Sequence, residues 1–352
     1  MILAGIGVVF ARGRGVGALE TAFREGWRSP EWRPVANSAN AKAPVYVVAD
    51  DALRDRAVLG GLRRADRFSK LSVLAASDAI SDAGIEIARG SHDLGILLTS
   101  GLGPHATGFR FLDEMLTYGE AATSPTLFSQ SVQNAAASHV ALHLGSHGPT
   151  MTLTQFHLSF HEGLLLAAAW LQEGRCSRVL VGATEECGRV MEYVAHERIR
   201  FAGEGRIEPL RCAASPEAVP GEGSVFFLLT RDEPPRRYGE IETIESSTTD
   251  SADLVLLDAD GLTEDETDYL AVGRASPVAS YAPIFGSMMT GTAFHCAAAA
   301  LMVRDRVRFG CPATRNPHRL DVPLVTEPAS LEEVQCIRFA CDGERGTVRI
   351  RR

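Results

Sequence analysis

Gly148 to Glu186, GPTMTLTQFHLSFHEGLLLAAAWLQEGRCSRVLVGATEE, is the stretch whose reading decides the fold of this chain. Gly148-Pro149 is a turn, and Met151 to Thr154 alternates as a strand does. Gln155-Phe156-His157 makes a tight corner, an apolar helix follows, and Arg178 to Gly182 is a second strand. A strand that turns sharply into a helix is a common seat for a nucleophile. The helix N-terminus offers free N–H groups and the positive end of the dipole. Here the corner residue is His157.

Outward from this stretch, strands and helices alternate, which predicts an α/β fold. Upstream, Ile2 to Val9 is a strand, Gly17 to Gly26 a helix, and residues 27–60 a Pro-, Ala- and charge-rich surface excursion. A helix opens in the basic run Arg63 to Lys70 and stops at Gly84. Leu94 to Thr99 is a strand, Leu112 to Thr117 a short helix, Thr123 to Phe128 a loop, and Asn134 to Leu144 an Ala-rich helix ended by Gly145. Downstream, Arg198 to Pro220 is a polar loop, Ser224 to Leu229 a strand, and Arg231 to Arg237 a hinge. Ile241 to Glu245 and Leu254 to Leu257 are strands, Glu264 to Ala271 begins a helix, and Gly291 to Arg304 is a small-residue helix. Val334 to Phe339 and Thr347 to Ile350 are the last strands.

Composition narrows the function classes. The chain has 352 residues, enough for two domains or halves, and a formal net charge of -9. Its acids are scattered rather than gathered in a tail, which argues against nonspecific nucleic-acid binding. Seven cysteines without a C-x-x-C favour a reducing cytoplasm over a disulfide framework. The longest apolar run, Leu164 to Leu171, is too short for a membrane span, and the apolar N-terminus lacks a basic leader region and reads as a strand. Gly5-x-Gly7 fails as a dinucleotide loop because Phe10 stands where a third glycine belongs. Neither histidine series predicts a metal site. Gly145 interrupts His139, His143 and His147, while His157 and His161 would need a third ligand from elsewhere, for example Asp260 or His295, which no spacing supplies. No cofactor is expected.

Several blocks, in order, resemble the β-ketoacyl synthases of the thiolase-fold superfamily. They are Gly5-Ile6-Gly7-Val8-Val9, Arg64 to Phe68 with Ala75 to Ala79, Ser124-Pro125 through Asn134-Ala135-Ala136-Ala137 to Leu144-Gly145, Gly148-Pro149-Thr150, and Pro220-Gly221-Glu222-Gly223-Ser224. The resemblance covers residues 1–232 closely and the remainder in patches. It implies a five-layered αβαβα fold of two pseudo-repeated halves, 1–232 and a shortened 233–352. Family members use a cysteine, two histidines and a lysine. Aligned on the family motifs, the cysteine position carries His157, the first histidine Asp260, the lysine Ser287 and the second histidine Thr292. The glycine-rich loop near the C-terminus survives only as Ala340-Cys341-Asp342-Gly343-Glu344-Arg345.

Condensation needs a thiolate to hold the acyl chain and imidazoles to stabilise the charge made on decarboxylation. Asp, Ser and Thr do not replace them. The resemblance therefore implies a noncatalytic subunit like the chain-length factors of type II polyketide systems, including those that make polyenes or aryl polyenes. Such a subunit pairs with an active ketosynthase as a heterodimer and receives an acyl carrier protein bearing the polyketide chain. Met151 to Thr154 and the helix from Asn134 would form the interface. Leu127 and Phe128, then Leu112 and Met115, are the candidates for shaping the acyl tunnel, where each excluded methylene forfeits about 0.8 kcal/mol of burial. Two other readings stay open: a divergent acyltransferase or thioester hydrolase using His157, and an acyl-binding scaffold. The basic cluster at Arg63 to Lys70 is either a carrier-docking patch or a solvated helix start.

Overall fold

The computed structural model describes residues 1–35, 41–244 and 252–352. Ten strands run in line across the main sheet, with the two-residue strand Gly13–Arg14 pairing off the side of the first: β1 (Ile2–Phe10), β2 (Leu94–Thr99), β3 (Thr150–Leu153), β4 (Arg178–Glu185), β5 (Gly223–Thr230), β6 (Gly239–Ile244), β7 (Leu254–Leu257), β8 (Val278–Ala279), β9 (Glu333–Phe339) and β10 (Arg345–Arg351). Their spatial order is β3-β2-β4-β5-β1-β6-β10-β9-β7-β8. This order repeats itself about the middle, with strand n of the first five matching strand n+5 of the second. In the first half β1–β5 and β5–β4 are antiparallel, and β4–β2 and β2–β3 are parallel. In the second half β6–β10 and β10–β9 are antiparallel, and β9–β7 and β7–β8 are parallel. Among the described residues, the two half-sheets are joined strand to strand where Ile2 and Leu3 of β1 meet Glu240 and Gly239 of β6.

The longer helices are α1 (Val16–Glu25), α2 (Arg67–Ala83), α3 (His105–Tyr118), α4 (Pro125–Ser131), α5 (Ala135–Leu144), α6 (Ser159–Gln172), α7 (Arg189–Arg198), α8 (Tyr269–Ala275) and α9 (Thr292–Asp305). α6 follows β3 and α9 follows β8, so these two are also matched. Both lie between the half-sheets: α6 touches β2, β4, β6 and β10, and α9 touches β5, β6, β9 and β10. α2 and α5 cover the outer face of the first half. The result is the five-layered thiolase-like arrangement, in which an apolar strand such as β5 serves two cores at once. Val225, Phe227 and Leu229 face the middle helices while Phe226 and Leu228 face α2, as expected of strands buried on both sides.

Gly5 and Gly7 owe their identity to packing rather than to a nucleotide: a Cβ at Gly7 would collide with the carbonyl of Ala75 on α2. The shortening of the second half is localised. Residues 11–93, with α2 among them, separate β1 from β2, but only residues 245–253 separate β6 from β7. No helix the length of α2 fits there. The outer face of β6, β9 and β10 carries instead Glu242, Glu333, Arg349 and Arg351, joined by ion pairs.

Several expected boundaries shift for local reasons. The basic run before Arg67 is not helical, because Asp66 accepts the Ser69 N–H at 2.9 Å and caps α2. The expected loop Thr123–Phe128 is mostly helix α4, with Ser124 as N-cap to Leu127 and Pro125 at the first helical position. The short helix at 112–117 is the C-terminal part of α3. The helix expected from Glu264 begins at Tyr269, since Glu266 turns back to the Gly261 N–H at 2.8 Å and Asp265 binds the Thr267 N–H. The excursion at 27–60 contains a hairpin, Glu31–Pro34 with Lys42–Val45; its residues 36–40, and residue 245 of the expected strand 241–245, lie outside the described residues. No helix among the described residues is long and apolar enough to cross a membrane.

Candidate functional site

The corner after β3 brings His157 to the start of α6. Phe156 takes a left-handed φ of 45°, a conformation costly for a bulky side chain. Phe156 is left exposed and His157 turns inward, 6% exposed. Burial, and then the charge of Arg338, push its imidazole down to about 4, against the opposing pull of Asp258 and Asp342. One helical turn on, His161 is pressed against Gly346 and burial holds it at about 4 as well. Both rings are neutral at pH 7.

Facing this corner from the second half is a fully buried ion triad. Asp258 and Asp260, which follow β7, both contact Nη1 of Arg338 on β9, at 2.9 and 3.1 Å. Burial alone would raise Asp258, but Arg338, His295 and the Thr292 hydroxyl hold it below its ordinary value. Thr292 Oγ1 donates to Asp258 at 2.5 Å, and His295 Nδ1 lies 3.5 Å from the same carboxylate. The Tyr281 N–H donates to His295 Nε2 at 3.0 Å, which leaves the ring proton on Nδ1, toward Asp258. Asp260 is pushed up to about 6 by burial, with Arg338 opposing and Asp258 reinforcing. It accepts from the Met288 N–H at 3.0 Å and the Leu262 N–H at 3.2 Å. Ser287 accepts from the Val219 N–H at 3.0 Å and donates to the Asp260 carbonyl. Above the triad Glu185, fully buried, is raised to about 7 although Gly101, Thr290 and Ser100 bond to it.

Each of Asp260, Ser287 and Thr292 therefore has a structural partner, and the only buried positive charge at this centre is Arg338, held by two carboxylates. Nothing here supplies two imidazole donors converging beside a thiolate at position 157. The arrangement can hold charge and hydrogen bonds in place.

Residues 3–234 match the family model for the beta-ketoacyl synthase N-terminal domain. The chain belongs to the beta-ketoacyl synthase family. Among curated family members, 3-oxoacyl-[acyl-carrier-protein] synthase 2 of Staphylococcus aureus is 26% identical over 124 residues, 35% of this chain and 31% of that protein. The match thus spans about a third of the curated relative's length. Solved structures resemble the whole fold. The ishigamide ketosynthase/chain length factor superposes with a TM-score of 0.81 at 16% identity, covering 99% of this chain and 98% of the other. A ketosynthase in complex with its chain length factor from Xenorhabdus doucetiae gives 0.77 at 14% identity, covering 100% and 98%. A Burkholderia phymatum beta-ketoacyl synthase gives 0.78 at 17%, covering 100% and 98%.

Of the expected site residues, Asp260, Ser287 and Thr292 are bonded together around Arg338 and Asp258, and His157 faces the same two charges and the Leu262 backbone. Leu127, Phe128, Leu112 and Met115 lie elsewhere, on α3 and α4. Leu127 is buried, Met115 half-buried, and Leu112 and Phe128 exposed, with the Phe128 ring 5.4 Å from that of Phe111. Sequence reasoning missed Arg338 and Asp258. The available signal was an arginine in the run Val334-Gln335-Cys336-Ile337-Arg338, where alternation puts it on the face of Val334 and Cys336. Among the described residues no group of three His, Cys, Asp or Glu side chains could hold a metal ion.

Proposed function

We propose that this chain is a noncatalytic chain-length factor, a ketosynthase-like subunit that pairs with an active ketosynthase and shapes its acyl tunnel in type II polyketide biosynthesis. The observation that carries the reading is the centre itself. On the motif alignment that the resemblance implies, the positions of the family's Cys, two His and Lys carry His157, Asp260, Thr292 and Ser287, and the last three are bonded into a buried network around Arg338 and Asp258. The ketosynthase-like halves 1–232 and 233–352 serve on this reading as a frame for the interface and tunnel.

The exposed apolar surface supports the pairing. β3 is an edge strand, and around it Leu142 is 73%, Phe156 60%, Met151 44% and Leu165 37% exposed. An open strand edge flanked by apolar side chains is a template for pairing with another sheet. Next to it, α3 and α4 expose Leu112, Leu116 and Phe128. We assign Phe128, Leu127, Leu112 and Met115 to the tunnel, closed when the partner packs against them. Two of the structurally similar proteins are described as a ketosynthase with a chain length factor, and a third as a type II acyl-carrier protein bound to its ketosynthase. They support an active ketosynthase and an acyl carrier protein as partners; a cytoplasmic setting and a polyene or aryl polyene product belong to the proposal and rest on the family resemblance alone.

Co-expression with a candidate ketosynthase tests the reading. A stable heterodimer is expected, and the double variant Leu142→Asp with Met151→Asp should abolish it, since truncating interface anchors costs about 2 kcal/mol or more each. A chain that stays monomeric beside every ketosynthase offered, or pairs equally well with both aspartates present, overturns it.

A further inference from the structure

The basic run before α2 folds, with the residues ahead of it, around an open cavity of about 620 Å³. Residues 52–62 make three short turns, Ala52–Arg54, Arg56–Leu59 and Gly60–Leu62, and the first two pack against α2. Leu53, Leu59 and Leu62 line the cavity with apolar surface, and Arg54, Arg56, Arg63 and Lys70 bring four cations to it. Among the described residues none of these four side chains has an ion-pair or hydrogen-bond partner. The neighbouring carboxylates are engaged elsewhere. Asp55 accepts from Arg14 at 2.6 Å and from the Ala57 and Val58 N–H groups. Asp66, one helical turn before Lys70, caps α2 and accepts from the Thr107 hydroxyl. Lys70 is nevertheless half-buried. A partly desolvated ammonium with no counter-charge costs free energy, and it persists here in a chain whose formal net charge is -9. A cavity of this make-up suits an anion.

We propose that this cavity binds a nucleoside diphosphate, with the two phosphates among Arg54, Arg56, Arg63 and Lys70 and the base against the leucines. The cations come from separate short turns and from α2, not from one helix face, so they surround a single small volume. That arrangement answers a compact polyanion better than the extended acidic face of a protein helix. Guanidinium forks match phosphate oxygens bidentately and also stack on flat aromatic rings, while the lysine ammonium adds a compact point charge. The cavity also has the size of a small-molecule site, for which about 300–1,000 Å³ is usual, and the usual mixture of apolar lining with a few convergent polar groups. No bond is made or broken in this binding. It uses no residue of the Arg338 centre and does not rest on the chain-length-factor reading, since heterodimer formation is measured independently of it.

The test titrates the purified full chain with fluorescent N-methylanthraniloyl-ADP at about 50 mM salt, where exposed charges are weakly screened. Saturable binding with a Kd below about 100 μM is expected, with unlabelled ADP competing and AMP or pyrophosphate competing at least about tenfold more weakly. The double variant Lys70→Met with Arg63→Ala should weaken ADP binding at least about tenfold. Arg274→Ala, which removes an exposed arginine of α8 in the second half, should leave it unchanged. If the double variant does not fold, photolabelling of the wild type with 8-azido-ADP decides, and the label is expected within residues 53–70. The proposal is overturned by the absence of saturable binding, by label confined to other segments, by equal weakening in Arg274→Ala, or by pyrophosphate competing as well as ADP. Protection of residues 53–70 from hydrogen exchange by an acidic acyl carrier protein, but not by ADP, would give the cavity to a protein partner and overturn it as well.

Discussion

The two half-sheets have the same strand order and the same pattern of parallel and antiparallel pairs, yet their outer faces are built on different physics. In the first half, α2 lies on β1, β4 and β5 so closely that β1 has glycine where it passes beneath the helix. In the second half the connection is too short for such a helix, and the same face of β6, β9 and β10 is held by a lattice of glutamates and arginines. What the difference teaches is that a half-sheet keeps its fold if its inner face stays apolar against α6 and α9. The outer face can be a core or a solvated charge ladder, because an antiparallel sheet tolerates water on one side. Among the described residues, the fully buried ion pairs of the second half lie on the inner side, around Arg338 and Asp258.

The comparison is broken most forcefully at Gly7. Valine there drives its Cβ into the Ala75 carbonyl on α2, and neither backbone can yield without moving the helix. A loss of about 3 kcal/mol or more in urea unfolding, or failure to fold, is expected. If Gly7→Val costs under about 1 kcal/mol, α2 is not held as tightly as its contacts imply and the contrast between the halves fails.

Arg338 comes next, because it sets the second half's own interior apart. Replacing it by methionine leaves Asp258 and Asp260 buried beside one another without a counter-charge, and a loss of about 3–5 kcal/mol is expected. The triple variant Asp258→Asn, Asp260→Asn, Arg338→Met removes all three charges and should recover more than half of that loss. Equal destabilisation by the single and triple variants would mean that the guanidinium acts through packing rather than charge. The measurement is again the urea midpoint, with the slope checked for two-state behaviour.

Most of the scaffold was legible because its signals are local. The apolar run Val225–Leu229 implies cover on both faces, Gly84 and Gly145 end helices where left-handed residues are needed, and Gly148-Pro149 opens the corner at His157. Ser124-Pro125 carried a helix-start signal that the loop reading of residues 123–128 overlooked. The site was legible only as a set of departures from motif positions. Its organising residue, Arg338, meets Asp260 across 78 positions of chain, and no spacing rule links an arginine in one strand to carboxylates after another. The approach of Cys341 Sγ to within 3.9 Å of Nδ1 of His157 is equally nonlocal, spanning 184 positions.

The smallest effect is expected on the charged outer face, and its smallness is the point. Glu242 on β6 pairs with Arg349 and Arg351 on β10, and Glu333 on β9 pairs with the same two arginines. Arg351 and Glu242 are each about half exposed, at 46% of their side-chain surface, so water and salt screen much of the attraction. Glu242→Ala removes one arm of the lattice while Glu333 still holds both arginines. The expected loss is therefore under about 1 kcal/mol, and it should shrink further at about 1 M salt, where exposed charges are screened within about 3 Å. A loss comparable to that of Gly7→Val would show that the ladder does the structural work that α2 does in the first half. A near-neutral result, insensitive to the loss of either glutamate alone, would show that this face needs only to be polar, and that the half-sheet is held from the α6 and α9 side.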